Sequence, residues 1–161
     1  MRSLITTAIV IFGGMTICSA QHNDKPNALS LELGKSGLIF NLTYDHKFKA
    51  KNLGFRFGVG SDFAKYTDAY SVGGGSYYLV GKKNNFLELG IDLQYLFVDI
   101  ISDDQGFALI FPDYSIKTIY PSINIGYRSY AKRTLFRIGF SPGIIDKNFL
   151  PGGYISFGSR F

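Results

Sequence analysis

Four carboxylates and four arginines recur inside short apolar runs of this 161-residue chain. Glu32 stands in "ALSLELG", Asp45 in "GLIFNLTYDHKF", and Glu88 and Asp92 in "FLELGIDLQYLF". Arg56 stands in "LGFRFGVG", Arg128 in "IYPSINIGYR", Arg137 in "LFRIGFS" and Arg160 in "GYISFGSRF". Paired carboxylates and guanidinium groups suit charge-assisted hydrogen bonding, because the arginine fork bridges two acids and keeps its proton. Four acids against four arginines balance. The reading favoured here is a polar network packed inside the fold; an ion or proton path is the sharper alternative.

Other chemistry is poorly supplied. His22 and His46 are the only histidines, and Asp45 next to His46 points to the opposite face of an extended chain, so they cannot act together. "SVGGGSYYLVGKK" resembles a phosphate loop only loosely. Five residues separate Gly75 from Gly81, and Lys83 stands where Ser or Thr should meet magnesium. "DIISDDQG" has three acids without calcium-loop spacing. "NLT" at Asn41 is a glycosylation signal only in a eukaryotic secretory route. No catalytic, metal or cofactor residue is expected, and no cofactor.

The charged residues share one setting: apolar and polar positions alternate around them. Leu87, Leu89, Ile91, Leu93, Tyr95 and Phe97 fall on one face, with Glu88, Gly90, Asp92 and Gln94 on the other. A period of two marks a β-strand. The pattern predicts eight strands, at 27–34, 37–48, 53–62, 69–81, 86–98, 116–129, 134–142 and 152–161. Whether 28–48 is one bent strand or two is open. Tight turns at 49–52, 82–85 and 130–133 alternate with longer loops at 63–68, 99–115 and 143–151. Pro121 lacks an N–H within its strand, which predicts a bulge or an unpaired carbonyl there.

The alternation alone does not say which face meets solvent. The polar face is rich in Gly, Ser and Asn, which suits a narrow lumen better than a wetted surface. The apolar face carries more large side chains than eight strands can enclose. Turned outward, they meet hydrocarbon, and an arginine among them would cost about 2–4 kcal/mol at mid-bilayer. Backbone groups in lipid must pair within the protein, so strands span only as a closed barrel. The expected fold is all-β: an eight-stranded antiparallel up-and-down transmembrane β-barrel over 21–161.

Residues 1–20 read as a cleaved signal peptide: Arg2, an apolar stretch "LITTAIVIFGGMTI", then "CSA" before Gln21. Removing them takes away the only cysteine, so no disulfide is expected. The net charge of +5 is spread over turns without a basic run, which speaks against a nucleic-acid partner.

The "CSAQ" boundary, the alternating strands and the segment "GYISFGSRF" together resemble the small bacterial outer-membrane β-barrels of the OmpA/OmpX-like kind. That resemblance implies an insertion signal at Ile155, Phe157 and Phe161, read by the barrel-insertion machinery; Ser159 departs from the usual pattern. It also implies outer-membrane lipid around a monomer, and a surface partner at the 99–115 loop. The expected role is structural or surface interaction through external loops, without enzymatic activity. The alternatives are a narrow channel or small apolar-ligand transporter, and a secreted soluble ligand-binding barrel.

Overall fold

A computed structural model describes residues 25–35, 40–49, 51–61, 67–100, 116–145 and 148–161, and the statements below concern these. The proposed signal peptide, His22 and most of the 99–115 loop lie outside them. The strands are β1 (Asn27–Gly34), β2 (Phe40–Lys47), β3 (Leu53–Ser61), β4 (Thr67–Lys82), β5 (Asn85–Ile100), β6 (Ile116–Tyr130), β7 (Thr134–Phe140), β8 (Gly143–Ile145), β9 (Asn148–Leu150) and β10 (Gly153–Arg160).

All pairings are antiparallel, and the sheet closes on itself. β1 pairs with β2 on one side and with β10 on the other, and β5 joins β6. The ring runs β1-β2-β3-β4-β5-β6-β7-β10, which makes eight staves. β8 continues β7, because Ile125↔Phe140 and Ser122↔Gly143 fall on one register against β6. β9 continues β10 in the same way, since Phe140↔Gly153 and Gly143↔Leu150 share a register, and Ser141 N–H donates to Gly152 across the break.

The segment 143–151, expected as a loop, is therefore mostly strand. Pro142 and Pro151 interrupt the ladder, and the glycines at 143, 152 and 153 blur the alternation without ending the strands. Residues 28–48 form two strands, paired at Leu31↔Leu42. Pro121 causes no bulge. The β5–β6 register runs unbroken through Leu93↔Pro121. Ile123 N–H donates to Pro142 O, so the missing N–H of Pro121, two residues on, faces the same neighbour. β6 and β8 pair only at Ser122↔Gly143.

The alternation decides what lies inside. Along β5, Phe86, Glu88, Gly90, Asp92, Gln94, Leu96 and Val98 are buried, while Leu87, Leu89, Ile91, Leu93 and Tyr95 are exposed. Twenty-eight large hydrophobic side chains stand exposed on the described residues, with Ile91 at 64% and Phe140 at 74%. The three largest fully buried side chains are arginines. That is the reverse of a water-soluble barrel, which hides its apolar face.

The exposed tyrosines sit toward the two ends of the outer wall. Tyr70 and Tyr95 stand toward one end, Tyr44, Tyr78 and Tyr127 toward the other. Tyr70 and Tyr78 are eight residues apart on β4, about 27 Å along the strand. A strand tilt of about 35–45° reduces that to roughly 19–22 Å, slightly less than the ~25 Å apolar band between the aromatic girdles of outer-membrane barrels.

Candidate functional site: a cross-braced ionic lumen

The lumen is layered. At the end holding the short turns, Ala28, Tyr77, Leu79, Phe86, Tyr130 and Leu135 form an apolar cluster. At the opposite end, Ala69, Leu96, Val98, Tyr120 and Ile145 form another, with Leu150 against it. Charged residues fill the level between, and each arrives by strand parity.

Glu88, from β5, is the hub. Its carboxylate accepts from Arg128 Nε at 2.6 Å, from Arg137 Nε at 3.1 Å and Nη2 at 3.0 Å, and from Arg56 Nη1. Arg128 continues to Asp45 with both terminal nitrogens, at 3.1 and 2.8 Å. Asp45 also accepts from the Tyr77 hydroxyl at 2.6 Å, and Arg128 donates to the Tyr130 hydroxyl at 2.7 Å. The Arg128 guanidinium lies 3.9 Å from the centre of the Tyr77 ring, a cation–π contact that fixes its plane.

The second half is built on Asp92. It accepts from Arg56 Nε at 2.9 Å and from Asn124 Nδ2 at 3.0 Å, and it pairs with Lys35. Arg137 Nη1 donates to Glu32 at 3.1 Å, and Lys35 lies 3.7 Å from the same residue's other oxygen. These charged side chains are essentially without solvent exposure.

Sequence parity pointed to Glu32, Asp45, Arg56, Glu88, Asp92, Arg128 and Arg137, and the structure gathers these seven into one network. Arg160 stands apart. It donates to the backbone oxygens of Ala131 and Lys25 at the rim and lies over the Tyr130 ring. Its parity is inward, but its position, at the end of β10, is past the ionic layer. The fourth cation is Lys35, which the strand pattern does not find because it follows β1 rather than belonging to it. Gly34 (φ +79°) and Lys35 (φ +70°) turn the chain back so that the ammonium enters the lumen. A Cβ at Gly34 would collide with the Gly153 carbonyl.

Room for these charges comes from small neighbours on the same face. A side chain at Gly75 would strike the Asp92 carboxylate. Four acids and four cations then neutralise each other in a space enclosed by a wall whose outer face is apolar. Burying them costs desolvation free energy of several kcal/mol per ion, which the dense pairing offsets although Arg56 Nη2 is buried without a hydrogen-bond partner among the described residues. What they secure most clearly is register, since a one-residue slip of any strand would turn its charge toward the outer wall.

His46 is on the outer wall, stacked near Phe48 and Phe55, with Nδ1 2.7 Å from Asn27 Oδ1. Asp45 faces inward, so the two do not meet. Phe157 is on the outer wall, 4.8 Å from the Phe136 ring, with Ile155 half-buried beside it. Phe161 exchanges backbone hydrogen bonds with Asn27, at 3.0 and 3.3 Å, closing the ladder between β10 and β1.

A closed ring of eight antiparallel strands, apolar outside and ionic within, is the fold of the small eight-stranded outer-membrane β-barrels of the OmpA-like kind. Among solved structures, the chain is similar to the N-terminal β-barrel domain of OprF from Pseudomonas aeruginosa, with a TM-score of 0.65 at 11% identity over 84% of this chain and 96% of that one. It is also similar to Ail from Yersinia pestis, determined in a phospholipid bilayer nanodisc, with a TM-score of 0.50 at 12% identity over 86% of this chain and all of that one. No protein-family model matches the chain, and a comparison with curated proteins gives no match.

Proposed function

We propose that this protein is a non-conducting, non-enzymatic barrel of the bacterial outer membrane, whose role is structural or surface interaction through its external loops. In this reading residues 1–20 are a cleaved export signal and 21–161 the barrel. Ile155, Phe157 and Phe161 carry the insertion signal, and the 99–115 loop offers the partner surface. The observation that carries the proposal is the cross-braced lumen: side chains from strands on opposite sides bond to each other, and apolar clusters cap the ionic layer at both ends. Among the described residues, apolar side chains occupy the bore on both sides of the ionic layer, which supports a closed lumen. The outward apolar wall supports a lipid surround, since each large apolar side chain gains about 1.5–3 kcal/mol when taken out of water.

Planar-bilayer recording tests it. The reconstituted protein, shown to be closed by its resistance to SDS until boiled, is expected to give a silent bilayer. Regular unitary currents would favour the channel reading instead.

A further inference from the structure

The outer wall is not evenly packed. Gly74 and Ser76 on β4, Pro121 on β6 and Pro142 between β7 and β8 are small or flat residues, on a wall built mostly from Leu, Ile, Val, Phe and Tyr. They floor an apolar recess of about 740 Å³. Ile144 and Phe149, exposed by 55% and 70%, form its lip. The recess follows the one seam where two prolines face each other's strand. Pro121 has no N–H to offer β8, Pro142 has none to offer β6, and the ladder there ends at Ser122↔Gly143.

Its position identifies the occupant. On β4 the floor residues 74 and 76 lie between Tyr70 and Tyr78, inside the band between the aromatic girdles. Among the described residues no charged side chain projects into it from the outer wall: Asp92 borders it while its carboxylate points inward to Arg56. The volume falls within the range of small-molecule sites, roughly 300–1,000 Å³. A concave recess bordered by Ile144 and Phe149 fits a flexible hydrocarbon chain, whereas the convex wall of a second barrel would span it without filling it.

We propose that this recess holds one acyl chain of a bilayer phospholipid, seated against the Pro121–Pro142 seam and exchanging more slowly than the lipid around the rest of the wall. The proposal rests on the membrane reading above.

The test uses the refolded protein in vesicles of phosphatidylcholine containing a trace of phosphatidylcholine spin-labelled on its acyl chain. Flotation of the protein with the vesicles checks the membrane reading separately; a protein that stays in the aqueous layer overturns that reading, and the proposal with it. In the floating protein, electron spin resonance is expected to show an additional motionally restricted chain in the wild type. Ser76→Leu, which fills the floor, and Phe149→Ala, which removes the lip, should both lose it. Val59→Leu, on the wall at β3, should keep it. Equal restricted components in all four proteins would overturn the proposal. So would a wild-type dimer, seen by cross-linking in the vesicles, that Ser76→Leu abolishes, since the occupant would then be a second copy.

Discussion

Arg128 on β6 reaches Asp45 on β2 across the full width of the lumen, its Nη2 2.8 Å from Oδ2. In the ring of eight strands, β2 and β6 are opposite each other, four places apart either way. One side chain pair therefore braces the barrel along a diameter and blocks it at that level. The brace is held in plane by Tyr77 and Tyr130 and tied to the hub at Glu88.

Breaking the brace on one side should be costly. Arg128→Ala leaves Asp45 and Glu88 short of a cation in a space closed to water, and the expected loss is about 3–5 kcal/mol. The midpoint of urea unfolding in lipid or detergent micelles measures it. The exchanged pair Asp45→Arg with Arg128→Asp should recover part of that loss, because the coupling rather than either charge is what the lumen accommodates.

The two cations that sequence parity and structure place differently should separate in the same assay. Lys35→Ala deprives Asp92 and Glu32 of a buried partner and should destabilise by about 3 kcal/mol or more. Arg160→Ala removes hydrogen bonds to backbone oxygens at the partly solvated rim, and about 1–2 kcal/mol is expected. The reverse order would place the fourth network cation at Arg160.

A charge on the outer wall should be penalised by depth. Ile123→Arg, at the middle of β6, is expected to cost about 2–4 kcal/mol in a bilayer, and Tyr127→Arg, at the girdle, about 0–1 kcal/mol. Equal small effects at both positions would mean that the wall does not face hydrocarbon.

Much of this architecture is legible in the sequence because a strand's period of two survives any tertiary context. The runs around Leu89, Ile123 and Ile138 announce both the strands and the shared face. The network acids are legible for the same reason: Glu88 and Asp92 interrupt an apolar run at one parity. Lys35 is not, because its place in the lumen depends on two successive left-handed residues at the end of β1, and strand parity does not extend through a turn. Arg160 shows the opposite failure. Parity gives its face but not its height, and height decides whether it meets Glu88 or the rim. The strand character of 143–145 and 148–150 is hidden by prolines and glycines that break the pattern while the backbone keeps its register. Leu96, Val98 and Tyr120 share the parity of Glu88 and Arg128, so the pattern gives their face; that they meet and close the bore depends on cross-strand packing, which the pattern does not give.

The central claim is the orientation of the wall, and site-directed spin labelling at positions 89, 123 and 138 in reconstituted bilayers tests it most directly. Collision with oxygen, which concentrates in hydrocarbon, should be frequent at all three, and collision with a water-soluble nickel chelate rare. Ready access of the chelate to these positions would contradict the account, because the apolar face would then be turned to water.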